Sequence, residues 1–176
     1  MGVLWDIGSL IIAVALPVAV GFIGTAVGGG GDSDWYKQLN KPSWTPPNWV
    51  FPVMWTTLYV LMGISSWLVW KEGGFERQSY PLVAYVFQLL LNFLWTPIFF
   101  SWHRLDLALV EIVILWLAIA VTIYLFWHVH TIAAYLLVPY ILWVTVATAL
   151  NWYIWLYNGP SQQDITQPLQ PGGQSA

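Results

Sequence analysis

Apolar residues run in five long blocks along this chain, and polar residues are concentrated in the stretches between the blocks. A helix rises 1.5 Å per residue, so about 20 apolar residues cross the hydrocarbon core of a bilayer. None of the blocks carries the polar face, repeating at helical period, that a soluble helix has. The alternating strands of a membrane β-barrel are also missing from the pattern. The pattern predicts five membrane-spanning helices, at Ile7–Val27, Trp49–Trp70, Pro81–Trp102, Leu105–Trp127 and Ile132–Tyr157.

The first apolar block resembles a signal peptide in its position but differs in its flanks. It follows Asp6 and has no Lys or Arg before it, so the positive segment of a signal peptide is missing and we predict a retained span. Gly24 and Gly28 form a GxxxG pair in this block, which is typical of close helix contacts. Such a contact serves packing within one chain or a dimer seam, and the sequence leaves both open.

The connection between the first two spans, residues 28–48, is much longer than the others. It opens with the glycines Gly28–Gly31, which provide a flexible hinge. Its second half contains Pro42, Pro46 and Pro47, which hold the backbone extended. Connections of this length in a small domain are usually functional, so we predict a lid over a binding site.

The whole pattern indicates one domain, residues 1–158, and the fold class is an all-α integral membrane protein, a five-transmembrane-helix bundle. The other connections are short, so neighbouring helices run antiparallel. The remaining residues, 159–176, are rich in Gln, Pro, Gly and Ser, and we expect them to form a disordered polar tail.

Composition narrows the function classes. Only 7% of the residues are charged, where a soluble domain carries about 25%, so the partner that covers the surface is the lipid bilayer. A net charge of −3 with five Lys and Arg cannot neutralise many phosphates, so nucleic acid is not an expected partner. The chain has no Cys, and His103, His128 and His130 are too few ligands for a metal site. The motifs of nucleotide-binding loops, serine hydrolases and zinc proteases are missing as well.

The cations give an expected orientation in the membrane. Lys37, Lys41 and Arg104 fall on the side of the long loop and the C-terminus, and Lys71 and Arg77 fall on the other side. Because cytosolic loops carry the excess of Lys and Arg, three cations against two place the long loop and the C-terminus in the cytosol.

Polar side chains inside the spans point to internal contacts or a cavity. Residues spaced by three or four positions share one face of a helix. Three spans each carry such a face, and the faces serve helix packing or together enclose a pocket for a flat apolar ligand. The three faces are Trp55, Tyr59, Met62 and Ser66; Gln88, Asn92, Trp95 and Phe99; and Pro139, Trp143, Ala147 and Asn151.

The only carboxylate deep in a predicted span is that of Glu111, for which a structural and a functional role are equally open.

The long loop carries a recognisable motif. The run Trp35-Tyr36-Lys37-Gln38-Leu39-Asn40-Lys41-Pro42-Ser43-Trp44-Thr45-Pro46-Pro47, followed by Val50–Trp55, closely resembles the signature of the TspO/MBR family, the tryptophan-rich sensory or translocator proteins. Further matches are Gln88–Trp95, Ala134–Trp143 and Ala147–Asn151, so the resemblance runs from about residue 7 to residue 158.

The resemblance implies a five-helix bundle, commonly a homodimer, that binds porphyrins and haem, synthetic drugs and, in animal members, sterols. Porphyrin or haem would be a ligand, and no cofactor would be required. The sterol motif needs a Lys or Arg after Tyr153, which this chain lacks, so sterol recognition there is not expected. The family pocket lies under the long loop, and matching positions give its lining as Tyr36, Pro46, Trp55, Asn92, Trp95, Trp143 and Ala147.

Three functions follow from the resemblance. The first is a receptor or sensor for tetrapyrroles such as protoporphyrin IX that affects their handling or a stress response. The second is an enzyme that degrades porphyrin in light, with Trp55 and Trp143 as the implicated residues. The third is a transporter of porphyrin or lipid, which ranks last because the chain has no paired broken helices. A bacterial inner membrane and a eukaryotic organelle membrane both fit the sequence.

Overall fold

The computed structural model describes residues 2–159, so the predicted tail lies, except for its first residue, outside the described part of the chain. These residues form helices and connecting turns, and no strand occurs among them. The helices are α1 (Val3–Gly28), α2 (Asp34–Gln38), α3 (Val50–Lys71), α4 (Gly74–Arg77), α5 (Ser79–Phe100), α6 (Leu105–Val129), α7 (Thr131–Leu136) and α8 (Val138–Asn158).

Five of these stretches are long and apolar enough to cross a membrane: α1, α3, α5, α6 and the α7–α8 pair taken together. The predicted all-α, five-span fold is therefore confirmed. The predicted ends agree with the observed ones to within two residues, except that α1 begins four residues earlier, at Val3.

Two details of the local structure differ from the expectation. The long loop is not extended throughout, because α2 forms within it: the side chain of Ser33 accepts a hydrogen bond from the backbone N–H of Tyr36 and caps the helix start. The last span is interrupted at Leu137, between α7 and α8. Pro139, two residues further on, has no N–H with which to continue the helical ladder through this point.

The spanning helices form a ring. α1 packs on α3 and α5, α6 packs on α5 and α8, and α7 closes the ring against α3. α7 lies at the end of the bundle opposite the long loop, and its residues Ala133 and Ala134 are buried there. The end under the loop contains a separate group of buried side chains from α2, α5, α6 and α8, among them Tyr36 and Phe99.

Glycines bring α1 into backbone contact with its neighbours. A Cβ on Gly28 would lie 2.8 Å from the backbone nitrogen of Pro97, and one on Gly24 would lie 3.5 Å from the ring of Phe93. Both glycines of the GxxxG pair therefore pack within the chain, against α5. A Cβ on Gly63 of α3 would lie 2.7 Å from the carbonyl oxygen of Ala13.

Candidate ligand-binding site

A cavity of about 380 Å³ lies in the half of the bundle under the long loop. This volume falls within the range of sites that hold small organic ligands. Its walls come from α1, α3, α5, α6, α8 and the loop. Six of the seven residues implied by the family resemblance line this one cavity: Tyr36, Trp55, Asn92, Trp95, Trp143 and Ala147. The seventh, Pro46, is partly buried in the loop and does not line the cavity.

Aromatic rings form much of the wall. The ring of Trp55 stacks on Tyr59 with centroids 5.7 Å apart, and the ring of Trp95 stacks on Phe99 at 4.8 Å. Trp143 meets Phe51 edge to face at 5.7 Å. Aromatic pairs at these distances hold each other in place, so the cavity offers fixed, flat, apolar surfaces to a ligand.

The indole N–H of Trp143 has an unusual environment. It is buried and has no hydrogen-bond acceptor among residues 2–159. A buried donor without a partner is uncommon in native proteins, because its desolvation is not offset. The indole N–H of Trp95, in contrast, donates to the side-chain oxygen of Asn151 at 3.2 Å.

Amide and hydroxyl groups lie at the deep side of the cavity. The hydroxyl of Tyr59 donates to Asn92 Oδ1 at 2.8 Å, and Asn92 Nδ2 donates to the hydroxyl oxygen of Tyr140 at 3.0 Å. Tyr140 in turn donates to Gln88 Oε1 at 2.9 Å. The amides predicted on the helix faces therefore serve both purposes that the sequence left open: they join helices and, at Asn92 and Asn151, they line the cavity.

One of the three predicted faces is wrong at its first position. Pro139 is exposed, and the neighbouring Tyr140 is the buried residue on that side of the helix. Both residues lie in the first turn of α8, and its buried side runs through Tyr140, Val144 and Asn151 at regular helical spacing. Sequence reasoning missed Tyr140 because the predicted face was counted from Pro139, one residue too early.

The helix α2 seals the cavity at the loop side. The side chain of Tyr36 is 5% exposed and packs against Phe99 and Phe100, with centroids 6.2 and 5.5 Å away. Burial raises the pKa of its hydroxyl. The ammonium of Lys41 donates to the carbonyl oxygens of Tyr36 and Leu39 at the end of α2. Loss of solvent lowers the pKa of this ammonium.

Two further contacts hold the loop on the bundle. The backbone N–H of Asn40 donates to Asn158 Oδ1 at 2.8 Å, and Asn158 Nδ2 donates to the carbonyl oxygen of Asn40 at 3.0 Å. The ring of Trp35 stacks on His103 with centroids 4.0 Å apart. The middle of the loop is therefore tied to the end of α8 and to the turn between α5 and α6.

The cavity reaches the surface of the bundle between α1 and α3. Phe22 and Thr25 on α1, and Pro52 and Thr56 on α3, line the cavity and are also exposed. Among residues 2–159, no segment covers this side as α2 covers the loop side.

Glu111 lies outside the cavity lining. Its side chain is 8% exposed, and neither carboxylate oxygen has a hydrogen-bond partner in the described part of the chain. The structure therefore gives it no place in the candidate site.

Comparison with known proteins decides the family. The model of the TspO/MBR family matches residues 13–156. The chain belongs to the TspO/MBR family. Membership and the five apolar helices make it an integral, multi-pass membrane protein and support a membrane receptor role.

Relatives of this TspO/MBR chain come from bacteria and animals. It is 46% identical to protein CrtK of Rhodobacter capsulatus over 136 residues, which cover 75% of this chain and 82% of the relative. It is 44% identical to a tryptophan-rich sensory protein of Cereibacter sphaeroides over 118 residues, 67% of this chain and 73% of the relative. The human translocator protein is 44% identical over 139 residues, 78% of this chain and 82% of the relative.

Proposed function

We propose that this TspO/MBR protein is a membrane receptor that binds a tetrapyrrole, such as protoporphyrin IX or haem, in the cavity and affects tetrapyrrole handling or a stress response. The observation that carries the proposal is the shared placement of Trp55, Trp95 and Trp143 around one cavity. Indole rings offer large flat faces on which a macrocycle stacks. The names of the relatives, a sensory protein and a translocator protein, are consistent with a receptor.

Titration in the dark tests the binding. The purified protein in detergent receives protoporphyrin IX, and tryptophan fluorescence is followed. We expect quenching that saturates at one ligand per chain. A Trp102→Phe variant is the control, because Trp102 is exposed and does not line the cavity, and its dissociation constant should match that of the wild type. Quenching that never saturates contradicts the proposal.

Light-dependent oxidation of the bound porphyrin is a second candidate. It is favoured by one observation: Trp55 and Trp143, the two residues that the family resemblance implicates, line the same cavity. Stacking on these rings also explains binding without turnover, so illumination has to separate the two. The same samples, illuminated in the presence of oxygen, should lose the porphyrin absorption band and gain that of a product. A double variant, Trp55→Phe with Trp143→Phe, that degrades porphyrin as fast as the wild type would remove these residues from the reaction.

The proposed orientation has the loop and the C-terminal end of α8 in the cytosol, because Lys37, Lys41 and Arg104 lie at that end. The chain has no Cys, so single cysteines report the topology without a background. In intact cells, a membrane-impermeant maleimide should label Glu76→Cys and spare Ser43→Cys. The opposite labelling pattern would reverse the orientation.

We also propose the homodimer that the family resemblance implies. Sedimentation equilibrium in density-matched detergent should give twice the 20.0 kDa mass of the chain. A mass equal to one chain would contradict this assembly under those conditions.

A further inference from the structure

A chain of hydrogen bonds leads from the cavity into the closed interior of the bundle. It joins Tyr59 to Asn92, Asn92 to Tyr140, Tyr140 to Gln88, and Gln88 Nε2 to the sulfur of Met62 at 3.9 Å. Tyr59 and Asn92 line the cavity. Tyr140 and Gln88 are each 1% exposed and Met62 is 0% exposed, and none of these three lines the cavity. Only the first link is therefore within reach of a ligand.

The far end of the chain fixes its direction. The thioether of Met62 has no hydrogen to give and can only accept, so the NH₂ group of Gln88 faces it. The carboxamide oxygen of Gln88 then faces Tyr140, and because this oxygen can only accept, the hydroxyl of Tyr140 donates its one hydrogen there.

The same constraint passes along the next two links. The hydroxyl oxygen of Tyr140 is left to accept, so the NH₂ group of Asn92 faces it and the carboxamide oxygen of Asn92 faces Tyr59. The hydroxyl of Tyr59 consequently donates its only hydrogen to Asn92. Hydrogen bonds in such a buried row polarise one another, which strengthens the common direction.

We propose that Tyr59 is a specificity-determining residue that accepts a hydrogen bond from the ligand, so that this part of the cavity favours flat apolar molecules carrying a hydroxyl or N–H donor. The hydroxyl of Tyr59 donates its one hydrogen to Asn92, so its oxygen can offer a ligand only a lone pair, as an acceptor. The inference rests on the proposed function in one respect, that the cavity holds a ligand.

A matched pair of probes tests the assignment: 1-hydroxypyrene, which has a donor, and 1-methoxypyrene, which has none. Both are titrated into the protein in detergent, and the ratio of their dissociation constants is compared between variants, because the ratio between variants cancels differences in partition. We expect the preference for the hydroxyl probe over the methoxy probe, taken as the ratio of their dissociation constants, to be about fivefold larger in the wild type than in Tyr59→Phe. This factor corresponds to one net hydrogen bond. The methoxy probe should bind both proteins equally.

Two variants separate the role of Tyr59 from a general effect of losing a buried hydroxyl. Tyr85→Phe makes the same chemical change at a residue that is 3% exposed, outside the cavity lining and outside the hydrogen-bonded chain, and should keep the wild-type ratio. Met62→Leu keeps the volume of a side chain that does not line the cavity and removes the acceptor that orients Gln88. It should reduce the preference for the hydroxyl probe although no cavity wall has changed.

The outcomes divide clearly. An unchanged ratio in Tyr59→Phe, or a larger loss for the methoxy probe than for the hydroxyl probe, overturns the inference, and so does failure of both pyrenes to bind. If Tyr59→Phe does not fold, Met62→Leu carries the test, and an unchanged ratio there overturns it. Saturable pyrene binding with the expected ratios, together with no saturable binding of protoporphyrin IX, would refute the proposed tetrapyrrole receptor and leave the assignment of Tyr59 intact.

Discussion

The helices α1 and α3 run side by side, yet their two ends meet in different ways. Away from the loop, Gly63 lets the backbone of α3 approach Ala13 and Val14 directly. The indole N–H of Trp67 donates to the hydroxyl of Ser9 at 3.0 Å there. Lys71 also forms an ion pair with Asp6, at 3.7 Å.

Under the loop, a ring and the cavity lie between the same two helices. Gly21 faces the ring of Tyr59, and beyond it Phe22 and Thr25 face the cavity from α1 while Pro52 and Thr56 face it from α3. The two ends of this helix pair therefore differ in what lies between the helices: at Gly63 the two backbones touch, and at Gly21 the ring of Tyr59 lies between them. Close packing of small residues is a main source of helix association in membranes, where lipid competes for apolar surface.

The largest effect should come from filling the closed end. In Gly63→Ala the new Cβ would lie 2.7 Å from the carbonyl oxygen of Ala13, so the helices must separate. Overpacking of this kind costs about 1–3 kcal/mol, and the melting temperature in detergent should fall accordingly. Gly8→Ala is the matched control, since a Cβ on Gly8 has nothing within 4 Å. Equal melting temperatures for the two variants would show that the close contact does not stabilise the bundle.

Filling the open end should remove binding and spare the fold. Ala147→Phe places a ring in the cavity, and protoporphyrin IX should bind about tenfold more weakly or worse, since displacing packed groups costs about 1–3 kcal/mol. Ala149→Phe adds the same ring to an exposed position of α8 outside the cavity and should bind as the wild type does. Similar affinities for the two variants, measured by fluorescence quenching, would place the ligand elsewhere.

A smaller change to the cavity wall should have a smaller effect. Trp143→Phe keeps an aromatic ring but reduces the flat face, and the dissociation constant for protoporphyrin IX should rise about threefold, in line with the energy of an aromatic pair. Trp152→Phe on the same helix is the control, because Trp152 is exposed and does not line the cavity. An identical shift in both variants would argue for an indirect effect of losing an indole.

The smallest equilibrium effect is expected at the loop. Asn158→Ala removes both hydrogen bonds that hold the backbone of Asn40 in the loop against α8. The residues that line the cavity are unchanged. Stopped-flow measurements should show porphyrin dissociating several-fold faster, with a dissociation constant changed by less than about twofold, because exposed hydrogen bonds contribute little net stability. Tyr157→Phe is the control, since its backbone carbonyl, which accepts from Asn40, is kept. Unchanged release rates would mean that the ligand leaves between α1 and α3 without help from the loop.

The sequence predicts the spans well because the bilayer leaves few alternatives. A backbone that crosses hydrocarbon must satisfy its own hydrogen bonds, so five apolar blocks become five helices with ends close to the predicted ones. Two tryptophans outside the predicted site have partners on neighbouring helices: Trp67 donates to Ser9, and Trp116 donates to Thr145 at 2.8 Å. Neither partnership is visible in the sequence, because it depends on which helices become neighbours.

Part of the candidate site is predictable from the spacing of residues along the helices. The spacing of Gln88, Asn92, Trp95 and Phe99 places them on one face because α5 is uninterrupted there. In α8 the predicted face starts at Pro139, which is exposed, whereas the buried side of this helix starts at Tyr140. The capping Ser33 before Asp34 is the signal that could have revealed α2. The family resemblance, rather than spacing, supplied Tyr36 and Pro46.

The fastening of the loop to α8 also has a consequence for biosynthesis. Asn40 and Asn158 are 118 positions apart in the sequence, and a ribosome adds about 5–20 residues per second. The loop is made early, between the first and second spans, but its partner on α8 emerges only after the last span. The growing chain therefore completes all of its membrane crossings before this pair of hydrogen bonds can form. Until then the loop has only its contacts with Phe99, Phe100 and His103, so it reaches its full set of contacts only after the last span is made.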